Sequence, residues 1–180
     1  MEITSKQIQL FIDGDVNSLE RIYDQSSKFI YNSIFKFVYN IEETNDLVHD
    51  VYVKVFDKRK KFTGENSSEL KSWIYKIAVN HTLNYLKRKK WLVVNQPRVY
   101  FENSKQNLNE KYKDLDENIV VALNKLPTDH RVMLIIREIH EKSYEEISEI
   151  LDLPIGTVRS RINRSREKLK KYYLKEVQYD

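Results

Sequence analysis

A chain of 180 residues with only three Gly and three Pro has few places where its backbone can reverse sharply. Sheets with many tight turns depend on Gly for positive φ and on Pro for a preset φ, so this scarcity argues for helices joined by short connections. The expected fold class is all-α. Hydrophobic residues at 41% against 32% charged describe a chain that can bury a core. No stretch reaches the roughly 18 to 20 apolar residues of a membrane span, and MEITSKQIQL has neither the basic start nor the apolar run of a signal peptide. No membrane insertion and a cytoplasmic location are therefore expected. The absence of Cys excludes disulfides, thiolate nucleophiles and Cys-ligated zinc.

Helical periodicity then divides the chain. Asn17 reads as an N-cap with Glu20 three residues on, opening a long helix in which Leu19, Ile22, Tyr23, Ile30, Ile34, Phe37 and Val38 recur at helical spacing. Thr44 is expected to cap the next helix, with Leu47, Val48, Val51, Tyr52 and Val55 forming its inward stripe and Asp46, His49, Asp50, Lys54 and Asp57 on the other side. The string KRKKFTGENSS reads as a loop, and Ser67 or Ser68 as the start of a helix to about Lys90 with Leu70, Ile74, Ile77 and Ala78 inward. The first domain, 1–90, is expected to be a compact set of four helices. Residues 91–113, aperiodic and containing Pro97, read as a flexible linker, which at full extension would reach roughly 75 to 80 Å.

The second domain, 114–180, resumes with Leu115, Ile119, Val120 and Leu123, and Pro127 suits the first turn of a helix carrying Val132, Leu134, Ile135 and Ile136. Ser143 and Glu146 have the spacing of a capping box, opening a short helix through Leu151. A connection around residues 152–156 leads to a last helix whose Val158, Ile162, Ser165 and Leu169 share one face. A short capped helix, a turn and a basic helix make a helix-turn-helix over 143–171.

The net charge of +4 is unevenly placed. Residues 71–90 carry six basic side chains and no acid, and residues 155–173 carry seven against Glu167, leaving the remainder acidic. Two basic blocks on an acidic chain suit a polyanion met at two places. On the last helix, Arg159, Arg161, Arg164 and Arg166 can bond guanine, Asn163 can read adenine, and Lys168, Lys170 and Lys171 can hold phosphate. In the other block, Trp73, Lys76, Asn80, Asn84 and Lys87 or Arg88 recur at steps of three to four, joining an aromatic platform to amides and cations as single-strand binding requires. The competing structural reading is that Trp73 and Tyr75 cap the core. The four His form no His-x-x-x-His pair, and neither an acidic cluster with metal spacing nor a Gly-rich phosphate loop occurs, so no catalytic residue, metal or cofactor is expected.

In order and spacing these segments resemble the extracytoplasmic-function (ECF) group of bacterial sigma factors, the small members of the sigma-70 class. DGDVNSLERIYDQ looks like that family's opening region, TNDLVHDVYVKVF like its polymerase-binding helix, and LKSWIYKIAVNHTLNYLKRKK like its −10 promoter region. The string from LNKLPTDHRVMLIIREIHEKSYEEISEILDLPIGTVRSRINRSREKLKKY is close to its −35-binding region throughout. His49-Asp50 stands where the family usually has Gln-Glu, and Val79-Asn80 and Asn84 where it has Arg-Asn and Asp. The resemblance implies a binding protein that directs core RNA polymerase to promoter DNA and starts transcription, not an enzyme. It implies polymerase contacts at Asp46, His49, Asp50, Val53 and Lys54. It implies −10 single-strand contacts at Phe62, Trp73, Lys76, Asn80, Asn84, Lys87 and Arg88. It implies −35 contacts at Thr157, Arg159, Ser160, Arg161, Asn163, Arg164, Arg166 and Lys168. Family members are often held inactive by an anti-sigma factor, which makes one a candidate partner. The rival reading is a free-standing helix-turn-helix regulator with an N-terminal sensing or dimerisation domain.

Overall fold

A computed structural model describes residues 3–95 and 117–177, with the side chains of 91–95 and Glu117 excepted. Among them are eight α-helices and a single 3₁₀ turn at Arg59–Lys61, and no strand. The helices are α1 (Ser5–Asp13), α2 (Val16–Val38), α3 (Ile41–Asp57), α4 (Ser67–Asn95), α5 (Glu117–Asn124), α6 (Thr128–Glu138), α7 (Tyr144–Leu151) and α8 (Ile155–Val177). The all-α expectation holds. Helix α4 continues through the first five residues assigned to a linker, and the rest of that linker lies outside the described residues. The chain forms two compact units, Met1–Thr82 and Leu83–Asp180, with α4 passing from one to the other.

In the first unit, α1 is the helix that periodicity left unplaced. Thr4 caps it reciprocally with Gln7. Gly14 ends it at φ +102, a left-handed conformation that favours glycine, with the end of the Arg59 side chain close by. Asp15 then caps α2, its Oδ2 accepting from the Ser18 amide and hydroxyl, both at 2.7 Å. Those bonds hold the Asp15 carboxyl below its ordinary range. The expected cap at Asn17 is thus displaced, because a carboxylate directly after the αL glycine meets the free amides two residues earlier. Helix α2 ends at a left-handed Tyr39, and Asn40 caps α3 through the Glu43 amide at 2.9 Å. Thr44, the expected cap, lies inside α3, fully buried, its hydroxyl donating back to the Asn40 carbonyl at 2.6 Å.

The core of this unit joins Ile22, Ile30, Ile34, Phe35 and Phe37 of α2 to Leu47, Val48, Val51, Tyr52 and Val55 of α3, as the periodicity predicted for most of them. Ile8 and Phe11 from α1 and Leu70, Ile74, Tyr75, Ala78 and Val79 from α4 complete it, whereas Ile77 is half-buried. Among the polar contacts inside, Ser26 Oγ donates to the Ile22 carbonyl and lies 2.6 Å from the Tyr52 hydroxyl. Burial pushes that phenol up to about 12.

In the second unit, α8 packs against α5, α6 and α7. Val120, Ala122 and Leu123 of α5, Leu126, the run 132–136 of α6, Ile147 and Ile150 of α7, and Val158 and Ile162 of α8 are buried. Pro127 occupies the N-cap position of α6, one residue before its first turn. His130, in that first turn, has a shielded Nδ1 with no hydrogen-bond partner among the described residues. Desolvation first, then the cations Lys168, Arg161 and Arg164, hold its pKa below the ordinary value against the weaker pull of Asp129.

A histidine with a depressed folded pKa binds fewer protons folded than unfolded, so its contribution to stability is present above its unfolded pKa and is lost as pH falls through the folded one. The melting temperature should therefore fall between pH 7.5 and 5.5, and His130→Gln should narrow that fall. Equal pH dependence in the two proteins, read by circular dichroism melts, would rule out this assignment.

Candidate nucleic-acid interface

The two helices expected to form a helix-turn-helix do so through local chemistry. Ser143 Oγ accepts from the Glu146 amide at 3.0 Å while Glu146 Oε2 accepts from the Ser143 amide at 2.7 Å, completing the capping box. Lys142 Nζ bonds the other Glu146 oxygen at 2.7 Å, and this contact, with the Ser143 amide bond, keeps the carboxyl below its ordinary range. At the far end Asp152 takes a left-handed conformation at φ 54, and Ser148 binds Leu153 twice, accepting its amide at the carbonyl and donating from its hydroxyl. The turn residue is therefore Asp152. Gly156, expected within the connection, lies in the first turn of α8.

Val158, Ile162 and Ser165 face inward from α8, and Leu169 is half-buried. The opposite side exposes Arg159, Ser160, Asn163, Arg164, Arg166 and Lys168, with Thr157 and Arg161 half-buried. Periodicity alone thus separates seat from surface. Two of these arginines already have acidic neighbours. Arg166 places Nε and Nη2 at 2.9 and 2.5 Å from Glu138 Oε1 of α6, which raises its pKa further. Arg159 Nη2 lies 3.5 Å from Glu145 Oε1. The Glu145 carboxyl is held below its ordinary range by a backbone hydrogen bond first, and by Ser143 and Arg159 in smaller part. Both pairs are exposed, where such contacts contribute little to stability, so a phosphate or base edge can replace them at little cost. Arg161, Arg164 and Lys168 bear on His130, which leaves a field of positive charge beside the start of α6.

In the first unit Asp46, His49, Asp50 and Val53 are exposed on α3, Val53 to 49%, and Lys54 is half-buried. Asp50 Oδ2 lies 3.2 Å from His81 Nε2, tying this acidic face to α4. On α4, Lys76, Asn84, Lys87 and Arg88 are exposed and Asn80 is half-buried, its side-chain amide donating to the Lys76 carbonyl at 2.9 Å. Phe62 is buried, with its ring centroid 5.3 Å from that of half-buried Trp73. It lies under Gly64, where a Cβ would meet the Phe62 ring at 2.5 Å. Phe62 therefore supports Trp73 from below and does not itself present a face to solvent. Asn66 accepts from the Glu69 amide and Glu69 from the Glu65 amide, fixing the loop that carries these rings.

Tyr144, Arg137, Glu138 and Glu145, which border the arginines of α8, were not reached by reading charge and periodicity. The string SYEEI contains them as a capping box, but their approach to α8 arises from packing. Among the described residues no group of three or more His, Cys, Asp or Glu is placed to hold a metal, and no helix is long and apolar enough to cross a membrane.

Two family models match in the same order as these surfaces: sigma-70 region 2 over residues 22–92 and sigma-70 region 4 over residues 116–169. The chain is 30% identical over 162 residues to the RNA polymerase sigma factor YlaC of Bacillus subtilis, covering 86% of this chain and 91% of that protein. It is 28% identical over 178 residues to the ECF RNA polymerase sigma factor SigW of the same organism, covering 92% and 94%. Among solved structures it is similar to the sigma factor RpoE of Bartonella quintana in complex with the anti-sigma factor NepR, with a TM-score of 0.66, 25% identity and coverage of 87% of this chain and 97% of that one. The chain belongs to the sigma-70 family of RNA polymerase sigma factors, in its extracytoplasmic-function group.

Proposed function

We propose that this sigma factor works in the cytoplasm, by binding alone, through three surfaces on its two units. The acidic face of α3, with Asp46, His49, Asp50, Val53 and Lys54, would dock on core RNA polymerase. Helix α8 would enter the −35 major groove with Arg159, Asn163 and Arg164 towards base edges and Thr157, Ser160, Arg161 and Lys168 towards phosphates. Helix α4 would hold the −10 strand through Trp73, Lys76, Asn80, Asn84, Lys87 and Arg88, with Phe62 as the floor beneath Trp73. The observation that carries the reading is α8: its apolar stripe is seated on three helices while Arg159, Asn163, Arg164 and Arg166 are exposed together, directly after a capped helix and a turn.

Magnitudes limit what the chain can do alone. One aromatic platform contributes about 1 to 3 kcal/mol per stacked base. Opening duplex costs about 1.4 kcal/mol per base-pair step. Trp73 thus offsets one or two steps, and a longer opening needs the polymerase. Docking through α3 and base capture through α4 are therefore parts of one event. The similar RpoE is held by an anti-sigma factor, and a partner of that class is proposed here for the same exposed surfaces.

Run-off transcription with core polymerase on genomic fragments tests the function: defined transcripts should appear only when this protein is added. Tight duplex binding without any transcript would instead favour a free-standing regulator. On the promoter so found, Arg164→Ala should relax base preference in the −35 element by about 1 to 3 kcal/mol, the worth of a bidentate guanine contact; an unaltered preference would exclude Arg164 from base reading. Trp73→Ala should reduce permanganate reactivity of the −10 strand more than it weakens the closed complex in gel shifts. Equal losses would make Trp73 a core residue only.

A further inference from the structure

Tyr144 is the first residue of α7, directly after the Ser143 cap, so the capping box fixes its backbone. Two guanidiniums lie over its ring: Arg137 with Cζ 4.9 Å from the centroid and Arg159 with Cζ at 5.6 Å. Arg137 is itself held, donating from Nη1 to the Lys142 carbonyl at 2.8 Å across the connection between α6 and α7. The ring is half-buried, whereas Arg159 is exposed on α8. Tyr144 also contributes, after Glu138, to holding the Arg166 cation.

An arginine that reads a base must present its planar fork in one orientation, and an exposed one gives up rotamer freedom in doing so. A fixed aromatic face nearby removes part of that loss before DNA arrives. Glu145 also approaches Arg159, but the pair is exposed and a carboxylate gives charge without a plane to stack on. We infer that Tyr144 is a positioning residue: its ring orients the Arg159 guanidinium for base reading, so that specificity of α8 is set partly by a side chain of α7. The inference rests on the proposed reading of Arg159 as a −35 contact.

The test uses the full chain with core polymerase and run-off transcription from a promoter library randomised across the −35 element, with Arg159→Ala, Tyr144→Phe and Tyr144→Leu beside the unaltered protein. Tyr144→Leu should reduce preference about two- to fivefold, the size of one exposed cation–π contact, at the same base pair that Arg159→Ala relaxes. Tyr144→Phe, which keeps the ring and loses only the hydroxyl near Arg166, should retain the original preference at that base pair. If the leucine variant melts early, Tyr144→Met provides a second ringless side chain. A uniform loss across all sequences in the ringless variants would make Tyr144 a backbone contact and overturn the inference. So would an unchanged profile in Tyr144→Leu when Arg159→Ala has relaxed it, with the reading of Arg159 left intact. An unchanged profile in Arg159→Ala would remove that reading, and the inference with it.

Discussion

The second unit depends on a narrow apolar stripe on a strongly cationic helix. Val158 and Ile162 are fully buried, and with Ser165 they are the α8 side chains that reach the interior. Burying two such aliphatic side chains contributes about 3 to 6 kcal/mol in all, against mutual repulsion of the cations on the outer face. Glu138 and Glu145 reduce that repulsion at Arg166 and Arg159, but neither pair is buried. The cations are held in register by hydrocarbon and only loosely neutralised by carboxylates. Phosphate oxygens can therefore replace the carboxylates without disturbing the seat.

The first unit uses a related division. Its core is aliphatic and aromatic, with the Ser26–Tyr52 contact as one of its few interior polar links. The outer face of α3 is acidic, the part of α4 within this unit exposes Lys71 and Lys76, and Asp50 meets His81 where the two helices are joined. The buried Phe62 raises Trp73 to the border between interior and solvent, a position suited to stacking because one part of the ring is fixed by packing.

Features encoded within a few residues were legible in the sequence. The Ser143–Glu146 capping box, the stripe of α3 and the alternation of buried and exposed residues along α8 follow from spacing alone. The caps of α2 and α3 were misplaced because two plausible capping residues compete. The winners, Asp15 and Asn40, follow the left-handed residues Gly14 and Tyr39, and a positive φ at Tyr39 carries no sequence signature comparable to a glycine. Helix α1, one of the four expected, was left unplaced because its Thr4–Gln7 capping box was not read from the sequence. Phe62 was a −10 contact by family resemblance, whereas its burial comes from the fold of the loop around Gly64.

The sequence by itself determined the all-helical class, the two basic blocks and the identity of the exposed cations, since turn chemistry, periodicity and charge are local properties. Which cations are restrained, and by what, was decided only by tertiary structure. Tyr144 and Arg159 are 15 positions apart, Glu138 and Arg166 28 apart, and no spacing rule brings them together. Their contacts exist because α8 buries its stripe against α6 and α7, and the same burial fixes which residues stand beside the exposed arginines.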